Sequence, residues 1–285
     1  MQIIPKLIRF ARKPPREQLQ VIRERWVETE LYWKVHPRND RTAYLVGLFG
    51  SGRQYITELV LDHIGDRAKY LHQRIPRFHT GPTSMIYSGH ATIKYISNEQ
   101  ALPAVTSRIL GAVRLGFADL IFVYRHPLDS LLTNWVYWRI YLRTGRKVWS
   151  TWWTYRNTDD LGAELERNFS EFRAFAEGDP SFWAGVPGPR FLSFSEYVEE
   201  TELFLQSATL ALRFEDFMLD PLKEFSKIVE LMSVDLDLRR LQLARPRTKP
   251  YFYLAVREKA PQFGKFIDGL DEETERRIRK MGYGL

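Results

Sequence analysis

Three glycines punctuate a short stretch near residue 50 whose composition is typical of an anion-binding loop. Residues 43–55 read Ala-Tyr-Leu-Val-Gly-Leu-Phe-Gly-Ser-Gly-Arg-Gln-Tyr, with glycines at 47, 50 and 52 after an apolar run. Glycine lets the main chain approach a phosphate or sulfate closely, and a helix that begins after the loop adds free N–H groups and a favourable dipole. The pattern therefore predicts a strand, a phosphate-binding loop and a helix in succession.

The loop departs from the magnesium-dependent nucleotide-binding pattern at its last two positions. Gly47-x4-Gly52 fits the glycine spacing of that pattern, but Arg53 replaces the lysine and Gln54 replaces the hydroxyl residue that would hold magnesium. A loop that keeps its glycines and lacks the metal ligand indicates a protein that binds a phosphate-bearing donor without a metal ion, rather than one that hydrolyses ATP. The alternative is a glycine turn with a purely structural role at a strand end.

A second candidate site follows an apolar run further along the chain. Residues 120–124 read Leu-Ile-Phe-Val-Tyr, which is typical of a buried parallel strand, and Arg125 comes directly after them. Open α/β sheets bind ligands at the carboxyl ends of their strands, and a planar guanidinium can grip a phosphate through two hydrogen bonds. Pro127 suits the first turn of a following helix, which would carry Thr133. The alternative for Arg125 is a surface arginine without a ligand.

Together the two motifs resemble those of the sulfotransferases that use 3'-phosphoadenosine 5'-phosphosulfate (PAPS). Residues 49–55 are similar to the 5'-phosphosulfate loop of that family, and Arg125, Pro127 and Thr133 fit the spacing of its 3'-phosphate motif, with threonine in place of serine. Residues 210–222 are similar to a third family feature, a strand that ends in Glu-Asp and is followed by Asp-Pro and a helix. The three motifs occur in the order of the family, and we expect a bacterial member of the carbohydrate type.

The resemblance implies a role for each matching residue. The loop would hold the 5'-phosphosulfate, Arg53 would offset charge that develops on the bridging oxygen, and Arg125 and Thr133 would hold the 3'-phosphate. The basic C-terminal element of the family is matched only faintly, by Arg257 and Lys259. The residues expected to bind PAPS, and its product 3',5'-ADP, are Gly50, Ser51, Gly52, Arg53, Gln54, Tyr55, Arg125, Thr133, Arg257 and Lys259.

No single motif marks the general base that would take the proton of the acceptor. The Lys-Thr-His segment that carries it in many small-molecule members is absent, and residues 94–96 could occupy its place. His79, His90 and Glu99 are candidates for the base, although a lone histidine is more often structural, and Lys94 is a candidate for charge stabilisation. With Arg53, the expected catalytic residues are therefore His90, Lys94 and His79, and no metal ligand is expected.

Composition agrees with a globular protein that binds anions. The chain has 285 residues, of which 44% are hydrophobic and 27% charged, enough for one large α/β domain. Its formal net charge of +7 favours anionic ligands, nucleic acid among them, but it contains neither a long basic tract nor a cysteine for a zinc finger. The absence of cysteine fits a reducing cytoplasm, where we expect the protein to act. No apolar run approaches the length of a transmembrane helix.

The order of the predicted elements sets the fold class. We expect an N-terminal helical arm over residues 1–40 and a sulfotransferase-like α/β domain over residues 41–285. The domain would have a mainly parallel central sheet, helices on both faces and a P-loop-like 5'-phosphosulfate loop. Helical periodicity over residues 102–116, 193–205 and 271–281 supports this arrangement.

Aromatic residues are concentrated directly after the 3'-phosphate motif. Residues 135–155 contain tryptophans at 135, 138, 149, 152 and 153, interleaved with tyrosines and arginines. These residues could form helices that pack on the core, or a wall that binds the acceptor, since aromatic faces stack on sugars and on aromatic acceptors. Both interpretations can hold for different residues.

Sulfuryl transfer from PAPS to an acceptor hydroxyl is the function that these patterns favour. We expect the acceptor to be a carbohydrate, a glycolipid or a glycosylated small molecule, with no nucleic acid partner; peripheral contact with a membrane is left open. Two alternatives remain at this point. They are a P-loop-type kinase of a small molecule, against which Gln54 argues, and a non-enzymatic module that binds glycan or nucleic acid through a basic, aromatic surface.

Overall fold

A parallel sheet of five strands forms the centre of the protein. The computed structural model describes residues 42–64, 68–70, 85–90, 102–116, 118–144, 158–184, 190–236 and 251–285. The strands are β1 (Thr42–Gly47), β2 (Ala68–Tyr70), β3 (Met85–His90), β4 (Asp119–Tyr124) and β5 (Leu210–Arg213). The helices of the described residues are α1 (Arg53–Ile64), α2 (Leu102–Arg114), α3 (Pro127–Thr144), α4 (Thr158–Arg167), α5 (Phe169–Glu177), α6 (Pro180–Ala184), α7 (Phe194–Ser207), α8 (Phe214–Leu219), α9 (Pro221–Leu231), α10 (Phe252–Lys259), α11 (Pro261–Asp268) and α12 (Glu272–Lys280).

The strand order places a topological switch point at the middle of the sheet. The order is β2-β3-β1-β4-β5, so the chain leaves β1 toward one edge and later crosses to β4 on the other side of β1. The connections after β1 and β4 therefore diverge, which opens a crevice at the carboxyl ends of these two strands. Gly47 at the end of β1 is in register with Val123 of β4 and with His90 of β3.

Helices cover both faces of the sheet. Alternate residues of β1 face opposite sides: Ala43 and Leu45 pack with residues of α1 and α9, whereas Tyr44 and Val46 pack with residues of α2 and α7. All four side chains are buried, as expected for a strand in the middle of a parallel sheet. The predicted α/β fold class, with a mainly parallel sheet between layers of helices, is confirmed.

A third cluster of buried residues joins α3 to the helices of the C-terminal part. It contains Trp135 and Trp138, which are 0% and 1% exposed, together with residues of α5, α10 and α11. These two tryptophans are core residues, because rings such as Phe172 and Phe175 cover them, and for them the interpretation as an acceptor wall is wrong. Trp149, Trp152 and Trp153 lie outside the described residues.

The predicted N-terminal arm, residues 1–40, also lies outside the described residues, and the division into an arm and a domain stays a prediction. The helices predicted at residues 102–116, 193–205 and 271–281 are present as α2, α7 and α12. A capping box at Ser193 and Glu196 explains where α7 begins, since each side chain accepts the backbone N–H of the other. Within the described part of the chain, none of the helices has the length and apolar character needed to span a membrane.

Candidate functional site

The glycine loop after β1 is a tight turn that only glycine fits at two positions. Gly50 and Gly52 have φ angles of 82° and 81°, in the left-handed region that other residues rarely adopt. A Cβ on Gly50 would lie 2.8 Å from the carbonyl oxygen of Ser130, and one on Gly52 would overlap the ring of Phe214. The loop thus lies directly against α3 on one side and against α8 on the other.

Two side chains of α3 hold the loop through its carbonyl oxygens. Ser130 Oγ donates to Gly50 O at 3.3 Å, and Asn134 Nδ2 donates to Phe49 O at 3.2 Å. Tyr197 of α7 donates its hydroxyl to Ser130 Oγ at 2.9 Å, which orients the serine. The N–H of Ser51 closes the turn on Leu48 O at 3.2 Å, so α3 and the loop's own backbone hold the turn together. Sequence reasoning missed Ser130 and Asn134, although their spacing of one helical turn places them on one face of α3.

The loop contains a buried hydroxyl that no described residue binds. Ser51 is 1% exposed, and its Oγ has no hydrogen-bond partner among the described residues. A buried polar group that lacks a partner is costly, so a ligand that accepts a hydrogen bond there is favoured. The N-terminus of α1 favours an anion through the helix dipole, although in its first turn the N–H of Tyr55 already donates to Gly52 O at 3.1 Å. The loop therefore fits a phosphate or sulfate oxyanion.

The three residues after Gly52 have different surroundings. Arg53 is buried, and its Nη1 donates to Thr57 Oγ1 at 3.1 Å and to Ser88 Oγ of β3 at 3.0 Å. Gln54 is exposed and donates to Glu58 Oε1 at 3.1 Å, while the Tyr55 ring packs edge-on against Phe214. The charge of Arg53 therefore lies between α1 and β3.

Arg125 is fixed at the end of β4 between two aromatic rings. It is 2% exposed, and its Cζ lies 5.0 Å from the ring centroid of Phe214 and 5.2 Å from that of Phe252. Cation–π contacts of this kind hold a guanidinium in one orientation. Phe214 also contacts Gly52, so the same ring separates Arg125 from the glycine loop. The arginine and the loop are thus neighbours across one aromatic side chain.

Asp129 connects Arg125, Thr133 and the beginning of α10. Its Oδ2 lies 3.4 Å from Arg125 Nη2, its Oδ1 accepts the N–H of Tyr253 at 2.9 Å, and its backbone oxygen accepts the hydroxyl of Thr133 at 2.7 Å. Burial raises the pKa of the Asp129 carboxyl to about 6, although Arg125 opposes the shift. Of the predicted 3'-phosphate residues, Arg125 therefore pairs with the Asp129 carboxylate, whereas Thr133 bonds to the backbone oxygen one turn earlier in α3.

A buried network supports the turn that carries Arg125. Glu215 accepts the backbone N–H of His126 and the hydroxyl of Tyr283, each at 2.8 Å. His126 Nδ1 accepts the N–H of Leu128. Nε2 therefore carries the ring proton and donates it to Gly284 O at 3.0 Å. Burial lowers the pKa of His126 to about 4, and the ring is neutral at pH 7. Residues at the end of the sequence are thereby bonded to the end of β4.

The remaining predicted residues lie at the end of β3, in α10 or outside the described part of the chain. His90 ends β3, and its backbone is in register with Gly47; His79, Lys94 and Glu99 are outside the described residues. Arg257, in the last turn of α10, pairs with Asp268 at 2.6 Å. Lys259, the last residue of α10, lies with its Cβ against Gly162 of α4.

Comparisons with known proteins give distant likenesses among solved structures only. No protein-family model matches the chain, and no curated protein matches it. Among solved structures, the chain is similar to a crystal structure of mouse sulfotransferase SULT7A1 complexed with PAP, with 16% sequence identity and a TM-score of 0.40 over 88% of this chain and 86% of that one. So distant a likeness decides neither the donor nor the acceptor of this protein.

Proposed function

We propose that the protein is an enzyme that transfers a sulfuryl group from PAPS to an acceptor hydroxyl. The observation that carries the proposal is the pairing of two anion-binding features at the switch point. They are the glycine loop, in which no described residue binds the buried hydroxyl of Ser51, and Arg125 at the end of the neighbouring strand. A donor with charged groups at both ends of its ribose needs two such features, and the sequence resemblance assigns the same residues to them.

In the proposed reaction the acceptor oxygen attacks sulfur in line with the bridging oxygen of the donor. The new bond joins the acceptor oxygen to sulfur, and the bond from sulfur to the bridging oxygen breaks, with its electron pair passing to the 5'-phosphate of 3',5'-ADP. The acceptor proton passes to a general base, for which His90, His79 and Glu99 are the proposed candidates. As in phosphoryl transfer, positioning and charge stabilisation supply most of the rate enhancement.

The loop would perform the charge stabilisation in this reaction. Ser51 Oγ and the first N–H groups of α1 would donate to the 5'-phosphosulfate, and the dipole of α1 would favour the charge that develops on the leaving oxygen. Arg53 would add its charge from the side of β3, where Thr57 and Ser88 hold it. Lys94 is the further cation proposed for this role. Gln54 offers no hydroxyl for magnesium, which favours sulfuryl transfer over the kinase alternative.

Arg125 and Thr133 would bind the 3'-phosphate, with Arg257 and Lys259 as more distant contributors. In the free protein, the carboxylate of Asp129 occupies one side of Arg125 at 3.4 Å. A phosphate would compete with that carboxylate for the guanidinium, so protonation of Asp129 would favour nucleotide binding. Coulomb repulsion between the two anions is the physical reason.

We further propose that the acceptor is a carbohydrate hydroxyl, on a glycolipid, polysaccharide or glycosylated small molecule. The support is the aromatic composition of residues 135–155, of which Trp149, Trp152 and Trp153 remain as candidate stacking residues. Transfer of label from PAPS to a panel of sugars and phenols tests this claim. Transfer of label to sugars supports the claim. Transfer to phenols alone would refute the carbohydrate acceptor, but it would still support sulfuryl transfer.

Calorimetric titration with three nucleotides tests the donor. We expect 3',5'-ADP to bind more tightly than 5'-AMP, and ATP with magnesium to bind weakly. Equal affinity for 3',5'-ADP and 5'-AMP would reject PAPS as the donor, and preferential binding of magnesium-ATP would favour the kinase. The variant Arg190→Gln, which removes an exposed arginine that pairs with Glu196, is the control for a change in net charge.

A further inference from the structure

A second arginine stands at the carboxyl edge of the sheet, on the strand next to Arg125. Arg213 is the last residue of β5 and is in register with Tyr124, the residue that precedes Arg125. Arg213 lies within the motif of residues 210–222, but the resemblance assigned it no role. The side chain is 22% exposed, compared with 2% for Arg125, so solvent and ligands can reach it. Arg213 is therefore a second cation at the edge of the sheet where Arg125 lies.

Neighbouring side chains fix the orientation of the Arg213 guanidinium. Its Cζ lies 4.1 Å from the ring centroid of Tyr283, its Nε lies 3.7 Å from Glu215 Oε2, and its Nη2 donates to Tyr251 Oη at 2.6 Å. Gly282 lies beside Nη1 and has no side chain to cover it, since a Cβ added to Gly282 would lie 4.0 Å from Nη1. The guanidinium is therefore held in one orientation, and its side chain is 22% exposed.

Tyr251 is held in a conformation that tyrosine rarely adopts. Its φ and ψ angles are 54° and 32°, in the left-handed region, directly before α10. For a bulky residue this conformation is strained, and such strain is found preferentially at functional sites. Because the oxygen of Tyr251 accepts a hydrogen bond from Arg213, its own O–H hydrogen points elsewhere. Burial raises the pKa of Tyr251 despite Arg213, so the phenol keeps this proton at pH 7.

We infer that Arg213 and Tyr251 form an oxyanion-binding site that receives a phosphate or sulfate group at the carboxyl edge of β5. The guanidinium supplies charge and Nη1 donors, and the phenol supplies one O–H donor that Arg213 polarises. The two side chains are neighbours, joined by the hydrogen bond at 2.6 Å, and two such fixed donors can bind one anion through charge-assisted hydrogen bonds. The anion belongs either to the nucleotide or to an acidic acceptor, an identification that rests on the proposed function. A purely structural role, in which the pair only joins β5 to α10, is the competing explanation.

Titration of inorganic sulfate, 5'-AMP and 3',5'-ADP into the full-length protein and its variants tests this inference. Tyr251→Phe removes the donor and keeps the ring, Arg213→Gln removes the charge, and Arg213→Lys keeps the charge without the planar group. Arg190→Gln is the charge-matched control. We expect about a tenfold loss of anion affinity in Tyr251→Phe and in Arg213→Gln, and a smaller loss in Arg213→Lys.

The probe that loses affinity identifies the anion. A loss for 3',5'-ADP alone places the 3'-phosphate at this site, a loss for both nucleotides places the 5'-phosphate there, and a loss for sulfate alone assigns the site to an acidic acceptor. Unchanged affinity for all three probes in Tyr251→Phe and Arg213→Gln overturns the inference and supports the structural role, even if these variants melt earlier. A third outcome separates this site from the proposed function. If the protein binds neither nucleotide but binds sulfate, and Tyr251→Phe loses the sulfate, the anion site is supported and the proposed function is rejected.

Discussion

A single added methyl group tests whether the glycine loop is held against α3 as the structure describes. Gly50 and Gly116 have similar φ angles, 82° and 73°, so alanine meets a similar backbone cost at each position, about 1–2 kcal/mol. Their surroundings differ, because no described residue lies within 4 Å of a Cβ added to Gly116, whereas the Cβ of Gly50→Ala would lie 2.8 Å from Ser130 O and 2.9 Å from Asn134 Oδ1. The backbone cost cancels when the two variants are compared, and overpacking at Gly50 adds about 1–3 kcal/mol.

Denaturant and thermal unfolding of Gly50→Ala and Gly116→Ala measure this difference. We expect Gly50→Ala to lose about 1–3 kcal/mol more in the free energy of unfolding, which lowers its Tm by about 2 °C for each kcal/mol. Its affinity for 3',5'-ADP should fall as well, because the loop must move, whereas Gly116→Ala should bind normally. Equal stability and equal nucleotide affinity in the two variants would refute the reasoning about the loop.

Three further predictions concern other parts of the protein. Trp138→Ala should lower the free energy of unfolding by about 3–5 kcal/mol, as calorimetry can show, because the ring is buried in the core; a change in acceptor KM without loss of stability would contradict this. His126 and Asp129 should give opposing pH dependences: the lowered pKa of His126 makes stability rise with pH between about 4 and 6.5, and the raised pKa of Asp129 makes it fall between about 4 and 6. The Tm of Asp129→Asn, which keeps His126, should therefore rise with pH, and the Tm of His126→Asn, which keeps Asp129, should fall with pH. The same pH profile of Tm in both variants would contradict these two pKa shifts. Sulfuryl transfer should persist in EDTA, since Gln54 replaces the magnesium ligand; complete loss that magnesium restores would favour the kinase.

Features that depend on local pattern could be predicted from the sequence. The apolar runs of β1 and β4, the glycines of the loop and Arg125 after a strand are all specified by residues that are close in the chain. The parallel arrangement follows as well, because strands that alternate with helices form parallel sheets. Local patterns therefore suffice to predict the fold class and the edge of the sheet where the candidate site lies.

Contacts between distant parts of the chain could not be predicted in this way. Ser130 bonds to Gly50 and Arg213 to Tyr251 only after the sheet and the C-terminal helices have packed. Burial is a second limit, since a high content of tryptophan is equally compatible with a core and with a binding wall. The helical spacing of Trp135 and Trp138 was a signal for the core, because residues three apart lie on the same helix face.

The central claim is that Arg125 recognises the 3'-phosphate of a nucleotide at the carboxyl ends of β1 and β4. The most direct measurement is a calorimetric cycle that compares 3',5'-ADP with 5'-AMP in the unchanged protein and in Arg125→Gln. Loss of a charge-assisted phosphate contact costs about 1.5–3 kcal/mol. We predict that 3',5'-ADP binds the unchanged protein more tightly than 5'-AMP by about this amount, and that Arg125→Gln removes most of the difference. A preference for 3',5'-ADP that is the same in both proteins, or absent from both, would contradict the claim.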